Sequence, residues 1–330
     1  HPPFLRTLEF LWQEGHTLHR TPEEAQRETL QILDSYVDFV ENDLAVPVIV
    51  GLKPASEKFP GAIATYSIEA LMPDGQALQA GTSHNLGQNF TRTFGIRYLD
   101  EDNTEKHPWG TSWGVSSRLI GAVIMTHGDN RGLFLPPRVA PDQVVIIPIL
   151  YGKDDETVLN CGAAVREQLA GVRVKLDDRT YLTPGWKFNE YEMRGVPLRI
   201  EIGPREVKAN QAVLVRRDGM EKKTVPLEQI DRVVKETLEQ IQKDMLTRAR
   251  EWVASVTSSA TSLEEFKENL ARKPGYVKIH WCGSQECEKR IVEETKTTPR
   301  NMPLNEQNTP GRCIVCGKET GTLIYYARTY

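Results

Sequence analysis

The chain has 330 residues, of which 39% are hydrophobic and 26% are charged, with a net charge of −4 at pH 7. This composition is that of an ordinary globular protein with two or three domains. It excludes binding to nucleic acid through overall charge, so any RNA contact has to come from local patches. No apolar run approaches the ~20 residues of a membrane span and the start has no signal-peptide pattern, so we expect a cytoplasmic protein without a membrane partner.

The first predicted elements are a strand and a long helix. Phe4 to Trp12 is apolar and strand-like. Strand alternation would place one charged and aromatic set on a single face: Arg6, Leu8, Phe10, Trp12, Glu14 and His16. The run Thr21-Pro22-Glu23-Glu24 is typical of a helix start, with a capping box and a proline in the first turn. Apolar residues then recur at helical spacing, and we expect this helix to end before Pro47.

A hairpin, a helix and a proline-rich break complete the first domain. Pro73-Asp74-Gly75 separates the strand-like runs Ile68–Met72 and Ala77–Ala80, as a hairpin turn does. Ser117–His127 is apolar on one side and is predicted to be helical. The segment Leu135–Pro141 is rich in proline, so we place the first domain boundary after residue 138.

Strands and helices alternate after the break. This order predicts an α/β domain with a largely parallel sheet. Its elements are strands at Val144–Ile149, Val172–Leu176, Pro197–Ile202 and Ala212–Arg216 and a helix at Glu156–Leu169. A long charged helix follows at Leu227–Val253, and its polar face should bridge domains or face solvent.

Four of the five cysteines lie near the C-terminus, in the pattern Cys282-x4-Cys287 and Cys313-x2-Cys316. Two cysteine pairs of this kind match the tetrahedral thiolate ligation of structural zinc. Four unrelated free thiols are the alternative, although clustered pairs seldom arise by chance. Four thiolates leave no open position for a substrate, so the predicted zinc would stabilise the fold and take no part in the chemistry.

The segment Phe4–Thr17 combines an arginine, two glutamates, a glutamine and a histidine with aromatic residues. Such a face suits a ligand better than a hydrophobic core, and an edge strand with a solvated face is the alternative. Further distinctive runs follow it in the chain: QAGTSHNLGQNF at Gln79–Phe90, TSWGVSSR at Thr111–Arg118, then Gly121, His127-Gly128-Asp129 and LPPR at Leu135–Arg138.

Together these runs resemble the prolyl-tRNA synthetases, a family of class II aminoacyl-tRNA synthetases, across nearly the whole chain. Phe4–Thr17 is similar to the second half of motif 2, Gln79–Phe90 to the substrate-pocket segment and Thr111–Arg138 to motif 3. The resemblance implies four parts: the C-terminal part of an α+β class II catalytic domain with an antiparallel sheet (1–138), an α/β anticodon-binding domain with a mixed sheet (139–225), a helical connection (226–261) and a small α+β zinc-binding domain (262–330).

The resemblance also implies ATP-dependent activation of proline and its transfer to tRNA(Pro), with ATP and Mg as substrate and zinc as a structural cofactor. The proline carboxylate would attack the α-phosphate in line, so charge and positioning supply most of the rate and no general base is needed. Arg6 and Arg118 would be catalytic, with Arg118 on the γ-phosphate. The positions matched for ATP are Arg6, Thr7, Gln79, Thr82, Ser116 and Arg118. Those matched for proline are Trp12, Glu14, His16, His84, Ser112, Trp113 and Gly114.

Two of these residues have ordinary structural alternatives. Taken alone, Arg118 would form a helix salt bridge and His84 would be a structural histidine; their places in the motifs favour function. Other family parts do not appear in the chain: motif 1, which builds the homodimer interface, the Thr-x-Glu loop for the proline amine, and the first strand of motif 2 with its α-phosphate arginine. We therefore do not expect a complete active site from this polypeptide alone: either another chain holds the upstream fragment, or further sequence precedes His1. The resemblance also implies a homodimer.

Residues Thr183 to Lys223 carry nine Lys or Arg against six Asp or Glu, interleaved with aromatic residues. Single-stranded RNA is recognised by stacking on aromatic rings and by side chains that pair with base edges. A solvated surface is the alternative. By resemblance, the candidate anticodon contacts are Phe188, Glu192, Arg199, Arg205 and Lys222.

About a hundred residues separate the predicted motifs 2 and 3, which leaves no room for the editing insertion of one form of the family. The zinc tail also indicates the archaeal and eukaryotic-like form, in which the carboxylate of a C-terminal tyrosine, here Tyr330, reaches the active site. A frayed end is the alternative. Two other functions stay open: a non-catalytic RNA-binding paralogue, and a related synthetase for threonine, glycine or histidine, against which Phe10–His16 and the zinc tail argue.

Overall fold

The computed structural model describes residues 3–219 and 222–330. Contacts divide the chain into two units. The first comprises residues up to Asn42, Val46–Ala122 and Arg250–Tyr330, and the second comprises Asp43–Ala45 and Val123–Ala249. Each unit is built on a β-sheet of its own. In the described ranges, no helix has the length and apolar character needed to cross a lipid bilayer.

The elements of the first 127 residues are, in order, β1 (Trp12–His19), α1 (Pro22–Asp38) with a π-helical end (Phe39–Asp43), β2 (Val48–Leu52), β3 (Ala64–Leu71), β4 (Gln76–Gly87), α2 (Asn89–Thr93), β5 (Tyr98–Leu99), β6 (Glu105–Lys106), β7 (Trp109–Ser116) and α3 (Arg118–His127).

The middle of the chain forms β8 (Val144–Pro148), α4 (Asp155–Gln168), β9 (Val174–Leu176), α5 (Pro184–Met193), β10 (Leu198–Ile202), α6 (Pro204–Lys208), β11 (Gln211–Arg216), β12 (Lys222–Pro226), a 3-10 turn (Leu227–Gln229) and α7 (Ile230–Ser255). The last segment forms β13 (Ser258–Ser259), α8 (Leu263–Arg272), β14 (Val277–His280), α9 (Gln285–Thr295), β15 (Thr298–Pro299), β16 (Met302–Pro303), β17 (Gly311–Arg312), β18 (Glu319–Thr320) and β19 (Leu323–Thr329).

The sheet of the first unit has ten strands and is mainly antiparallel. Seven strands lie in the order β13-β14-β19-β4-β3-β2-β16. The other three are β7, which pairs with β4, β1, which pairs with β7, and β15, which pairs with β19. The long strand β4 therefore adjoins β3, β7 and β19. This antiparallel sheet confirms the class II architecture that the resemblance implied.

The C-terminal segment belongs to this same sheet. Strand β19 runs parallel to β4, with Arg328 opposite Gln76, and β16 pairs with β2, with Met302 opposite Leu52. Tyr276 and Tyr325 pack with Leu71 and Ala77 in one buried cluster. The cysteine-bearing end of the chain is thus joined to the sheet of the first unit by backbone pairing and by a shared core.

Helix α1 forms as its sequence predicts. The Thr21 hydroxyl accepts a hydrogen bond from the Glu24 backbone N–H, and the Glu24 carboxylate accepts one from the Thr21 N–H. This reciprocal capping satisfies donors that the first turn leaves unpaired. The helix buries Ala25, Thr29 and Leu33, which recur every four residues and so lie on one face. That face lies on the sheet, where the Ser83 hydroxyl donates to the Thr29 carbonyl.

The second unit has a five-stranded mixed sheet in the order β12-β11-β10-β8-β9. Strand β8 is buried throughout and pairs in parallel with β10 and β9, whereas β10-β11-β12 is an antiparallel meander. The prediction of a largely parallel sheet holds for three of the five strands. Helix α7 covers the core with an apolar face that includes Ile230, Val234, Ile241 and Met245.

The predicted strand at Phe4–Trp12 is wrong, because β1 begins only at Trp12. Trp12 pairs with Ser116, the last residue of β7, so β7 offers no partner to the residues before Trp12. Residues 3–5 form a turn, and Phe4 adopts a positive φ of 62°. The expected strand alternation therefore applies to Trp12, Glu14 and His16 but not to the side chains before them.

Candidate active site

A cavity of about 890 Å³ opens on the sheet of the first unit. Its walls come from β4 and β7, the start of β1, the residues preceding β1, the loop between β2 and β3, and the N-terminus of α3. Small-molecule sites have volumes of roughly 300–1,000 Å³. The cavity is therefore large enough for a nucleotide and a small second substrate.

Twelve of the thirteen positions predicted for ATP and proline line this one cavity. They are Arg6, Thr7, Trp12, Glu14, Gln79, Thr82, His84, Ser112, Trp113, Gly114, Ser116 and Arg118. His16 is the exception: its side chain is 62% exposed and lies 3.3 Å from the Glu14 carboxylate. The structure thus brings together residues that are up to 112 positions apart in the chain, since Arg6 and Arg118 share the site.

Arg118 is fixed at the cavity wall by backbone groups. It is the first residue of α3, its Nε donates to the Leu5 carbonyl at 3.1 Å, and its Nη1 donates to the Gln79 carbonyl at 3.2 Å. Burial lowers the pKa of the guanidinium, and nearby Arg6 and Arg300 lower it further against the opposing effect of Glu69. Carbonyl partners orient the side chain without cancelling its charge, which suits a phosphate ligand.

Strand register groups several of the predicted substrate-binding positions into two neighbouring sets of residues that lie opposite each other across β1, β7 and β4. Gly114 of β7 lies opposite both Glu14 of β1 and Thr82 of β4. Two residues away, Ser112 lies opposite His84 of β4. Residues two apart along a strand share a face, so these side chains converge on the same side of the sheet. The register therefore explains why three separate motifs meet in one cavity.

Trp113 lies between Ser112 and Gly114 in β7 and packs against Gly15 of β1. A Cβ built on Gly15 would lie 1.9 Å from the Trp113 ring, so only glycine permits this approach. The indole N–H of Trp113 is buried and has no hydrogen-bond partner among the described residues. A buried donor of this kind costs free energy unless something else accepts from it, and Trp113 lines the cavity.

His84 is buried beside Thr65 and Phe59. Its Nδ1 lies 3.0 Å from the Thr65 hydroxyl, and the Phe59 ring packs on the imidazole with centroids 4.8 Å apart. Burial lowers the pKa of His84 to about 4. The imidazole is therefore neutral at physiological pH and can act as a hydrogen-bond donor or acceptor, but not as a cation.

Several residues of the cavity were missed by the sequence analysis. The most informative are Thr65 and the loop that carries Ser56, Glu57, Lys58, Phe59 and Pro60. This loop has neither strand nor helix periodicity; its combination of charge, proline and an exposed aromatic was the available signal. Lys58 adds a cation to the wall formed with Arg6 and Arg118.

The C-terminal residue lies near this cavity. The Tyr330 backbone oxygen accepts a hydrogen bond from Arg6 Nη1 at 3.4 Å, and its hydroxyl donates to Asp74 at 2.7 Å. Tyr330 itself is absent from the residues that line the cavity. The contact with Arg6 is consistent with the predicted approach of the chain end to the site.

Four of the five predicted anticodon residues form a network in the second unit. The Arg199 guanidinium stacks on Phe188, 4.1 Å from the ring centroid, and pairs with Glu192 and Glu201 at 3.0 and 2.9 Å. Lys222 pairs with Glu201 at 2.8 Å. Arg205 lies apart on α6 with an exposed side chain. Arg199 itself is only 9% exposed, so its main role within the network is to hold Phe188 and Glu192.

The four C-terminal cysteines converge on one point. All four sulfur atoms lie within 4.8 Å of one another, with 3.6 Å between Cys282 and Cys287 and 3.8 Å between Cys282 and Cys316. Thiolates about 2.3 Å from a tetrahedral zinc ion would be about 3.8 Å apart. The chemistry and spacing of the donor set therefore fit a four-coordinate soft metal ion, as the sequence predicts.

Comparisons with known proteins give the same account as the geometry. Residues 1–127 match the family model "tRNA synthetase class II core domain (G, H, P, S and T)", residues 143–237 match "Anticodon binding domain", and residues 263–330 match "Prolyl-tRNA synthetase, C-terminal". A proline–tRNA ligase of Lachnoclostridium phytofermentans is 54% identical over 99% of this chain and 68% of its own length. The chain belongs to the prolyl-tRNA synthetase family.

Other members give consistent matches. Proline–tRNA ligase 2 of Clostridioides difficile is 51% identical over 99% of the chain and 68% of its own length. The crystal structure of prolyl-tRNA synthetase from Cryptosporidium parvum complexed with L-proline and AMP superimposes with a TM-score of 0.93 at 40% identity, covering the whole of this chain and 71% of that one. The prolyl-tRNA synthetase fold and all three of its parts are thereby confirmed; the predicted boundaries at residues 138, 225 and 261 stay predictions.

Proposed function

We propose that the cavity around Arg118 and His84 is the ATP and proline site of this synthetase. The observation that carries the proposal is the convergence of twelve predicted positions, drawn from three motifs, on one cavity. As a member of its family the chain is a proline–tRNA ligase, which activates proline with ATP and transfers it to tRNA(Pro). A related protein of the same fold is complexed with L-proline and AMP, which supports placing both ligands in this cavity.

The chemistry needs binding and charge more than acid–base catalysis. A proline carboxylate oxygen attacks the α-phosphorus of ATP, the bond to the bridging oxygen breaks, and prolyl-AMP and diphosphate form. The 3′-terminal hydroxyl of tRNA then attacks the prolyl carbonyl and releases AMP. Negative charge accumulates on the phosphates during the first step, and the guanidinium groups of Arg6 and Arg118 stabilise it. ATP enters with Mg in this proposal.

The amino-acid end of the cavity suits a small apolar ring that bears a cation and a carboxylate. Trp12 supplies an aromatic wall, and Glu14 supplies a carboxylate for the secondary ammonium of proline. Trp113 lines the cavity between Ser112 and Gly114 and packs its ring on Gly15. His84 lies opposite Ser112, two residues along the sheet from the Gly114 position, and on the same face. The neutral state of its imidazole means that it contributes a hydrogen bond, and not a charge, to the ligand.

The second unit supplies the proposed anticodon surface. Trp186 on α5 is 62% exposed and Tyr181 before it is 79% exposed, and exposed aromatic rings provide stacking platforms for unpaired bases. The neighbouring network of Phe188, Glu192, Arg199 and Lys222 can present side chains to base edges. We place Arg205 at the edge of this surface, as a contact to the RNA backbone.

The proposal has three further parts. The four-cysteine cluster binds zinc, because its sulfur spacing and purely thiolate donor set match that ion. The protein acts as a homodimer in the cytoplasm, as the family resemblance implies. The metal has no catalytic part, since four protein thiolates complete its coordination.

Replacement of Arg118 by alanine tests the nucleotide assignment. ATP–diphosphate exchange driven by proline should fall by about 10²–10³-fold, because one charge-stabilising group is removed. The affinity for proline alone, measured by calorimetry, should stay within about twofold. Arg97→Ala is the matched control: Arg97 is an exposed arginine paired with Glu105 outside the cavity, and its loss should leave exchange unchanged. Wild-type exchange by Arg118→Ala would contradict the assignment.

A further inference from the structure

Thr65 is the cross-strand neighbour of His84 in the sheet. The two residues are opposite each other in the antiparallel pair β3 and β4, so their side chains share one face. Thr65 is 2% exposed and His84 is 9% exposed. The Thr65 hydroxyl oxygen lies 3.0 Å from His84 Nδ1. Both residues line the cavity, and the family motifs in the sequence gave Thr65 no role.

A second contact favours one direction of this hydrogen bond, because the opposite direction would leave the buried Thr65 O–H without an acceptor among the described residues. The backbone N–H of Phe59 donates to the Thr65 hydroxyl oxygen at 3.0 Å. An amide N–H can only donate, so the hydroxyl oxygen already acts as an acceptor there, and its single proton is available to His84. In the described chain the hydroxyl makes these two side-chain contacts. With the proton of Thr65 directed at Nδ1, that ring nitrogen is the acceptor.

The remaining ring nitrogen of His84 must then carry the imidazole proton. The ring is neutral because burial lowers its pKa to about 4, and a neutral imidazole has one N–H and one bare nitrogen. If Nδ1 accepts from Thr65, the N–H is at Nε2. The Phe59 ring lies against the imidazole, 4.8 Å away with the planes inclined by 37°, and limits rotation of the ring.

We propose that Thr65 is a positioning residue that fixes His84 in the Nε2–H tautomer, so that the imidazole donates a hydrogen bond to the carboxylate of the amino-acid substrate. This inference rests on the proposed assignment of His84 to the proline site. A carboxylate offers only acceptors, so the opposite tautomer would present a lone pair to it and weaken binding. The loop that carries Phe59 takes part through its backbone, since its N–H sets the orientation of the Thr65 hydroxyl.

The test compares Thr65→Val with Thr65→Ser in the purified enzyme. Valine keeps the shape of threonine but has no hydroxyl, whereas serine keeps the hydroxyl. The first readout is the tautomer of His84, read from two-bond ¹H–¹⁵N correlations in protein labelled with ¹⁵N-histidine, with the His84 signals assigned through His84→Gln. The wild type and Thr65→Ser should show the Nε2–H form, and Thr65→Val should show a mixture of both forms.

The second readout is proline-dependent ATP–diphosphate exchange. For Thr65→Val the KM for proline should rise about tenfold, the worth of one hydrogen bond to a charged group, while the KM for ATP stays the same. Thr65→Ser should restore the wild-type KM for proline to within about threefold. A purely structural role of Thr65 would instead change both KM values or kcat together.

The possible results test the role of Thr65 separately from the assignment of His84 to the proline site. Nδ1–H in the wild-type enzyme, which needs no variant, would overturn the inference. A wild-type tautomer and wild-type KM for proline in Thr65→Val would also overturn it. If His84→Gln leaves the KM for proline unchanged, the assignment of His84 to the proline site fails. If only His84→Gln raises that KM, the assignment stands and the role of Thr65 fails.

Discussion

Arg118 in the first unit and Arg199 in the second differ in whether their hydrogen-bond partners carry a compensating negative charge. Arg118 is held by the carbonyl oxygens of Leu5 and Gln79, which leave its full positive charge to act on a ligand. Arg199 is held by the carboxylates of Glu192 and Glu201, which compensate its charge. The proposed phosphate role of Arg118 therefore rests on an uncompensated charge, whereas Arg199 contributes to the proposed anticodon surface mainly by orienting its neighbours.

His127 provides a prediction on pH dependence. It ends α3, its Nε2 donates to the Leu44 carbonyl at 3.0 Å, and burial lowers its pKa to about 4, with the charge of Arg248 acting in the same direction. The unfolded chain takes up this proton near the ordinary pKa of 6.5. The contribution to stability is therefore complete above pH 6.5 and is lost as the pH falls from 6.5 to about 4.

Chemical denaturation of wild type and His127→Gln at pH 7.5 and at pH 4.5 measures this effect. Glutamine keeps a donor but does not titrate, so the variant should lose less stability on acidification, by up to about 3 kcal/mol at 1.4 kcal/mol per pKa unit. His16→Gln, which changes an exposed histidine, is the control and should follow the wild type. Parallel acid sensitivity of wild type and His127→Gln would contradict the prediction.

Thr65 is a residue that the sequence failed to place because its contact depends on strand register. Arg118 and His84 lie inside distinctive runs, and each could be assigned from its own neighbours in the chain. Thr65 is a threonine in an ordinary strand, and only its pairing opposite His84 gives it a contact at the site. Register is fixed by the whole sheet, so local patterns could not supply it.

At the scale of elements, helices with caps were predictable and strands made of small residues were not. Helix α1 carries a capping box and four-residue spacing, and both signals are local. Half of the residues of strand β7 are glycine or serine, interleaved with Trp109, Thr111, Trp113 and Val115; this run has no continuous apolar segment, and the strand was not predicted. Three of these small residues, Ser112, Gly114 and Ser116, line the cavity.

The cysteine cluster gives a prediction for the last segment. Cys313→Ser should release the metal, because one thiolate of four is lost, and should lower the thermal stability of α9 and the β17–β18 hairpin that surround the cluster. Elemental analysis of the purified variant measures the first effect. Cys161→Ser, a change at the cysteine outside the cluster, is the control and should retain one metal ion per chain. Full metal content in Cys313→Ser would contradict the four-thiolate site.

At the scale of the molecule, the C-terminal segment and the catalytic sheet form one structure through a buried ion pair. Arg300 donates to one oxygen of Glu69 from Nε and Nη2, at 3.2 and 2.8 Å, and Lys53 donates to the other at 3.3 Å. Glu69 has no exposed surface, and Arg300 is 6% exposed. Glu69 and Arg300 are 231 residues apart, so no local pattern in the sequence indicates this pair.

Breaking this pair should destabilise the first unit strongly. Arg300→Met leaves the buried Glu69 hydrogen-bonded to Lys53 alone among the described cations, and removal of one partner of a buried pair costs about 3–5 kcal/mol. The remaining Lys53 contact favours the lower end of that range. Urea denaturation followed by tryptophan fluorescence measures the loss. Arg312→Met is the control, since Arg312 and Glu319 form an exposed pair worth roughly 0–1 kcal/mol. Equal denaturation midpoints for the two variants would show that the buried pair contributes nothing.

The central claim is that the enzyme activates proline with ATP in the cavity around Arg118. The most direct measurement is ATP–diphosphate exchange by the purified enzyme with each of the twenty amino acids in turn. Proline should support exchange at least about a hundredfold better than threonine, glycine or histidine, because the proposed site offers an aromatic wall at Trp12 and a carboxylate at Glu14 to a small cyclic secondary amine. Exchange driven better by another amino acid than by proline would contradict the account.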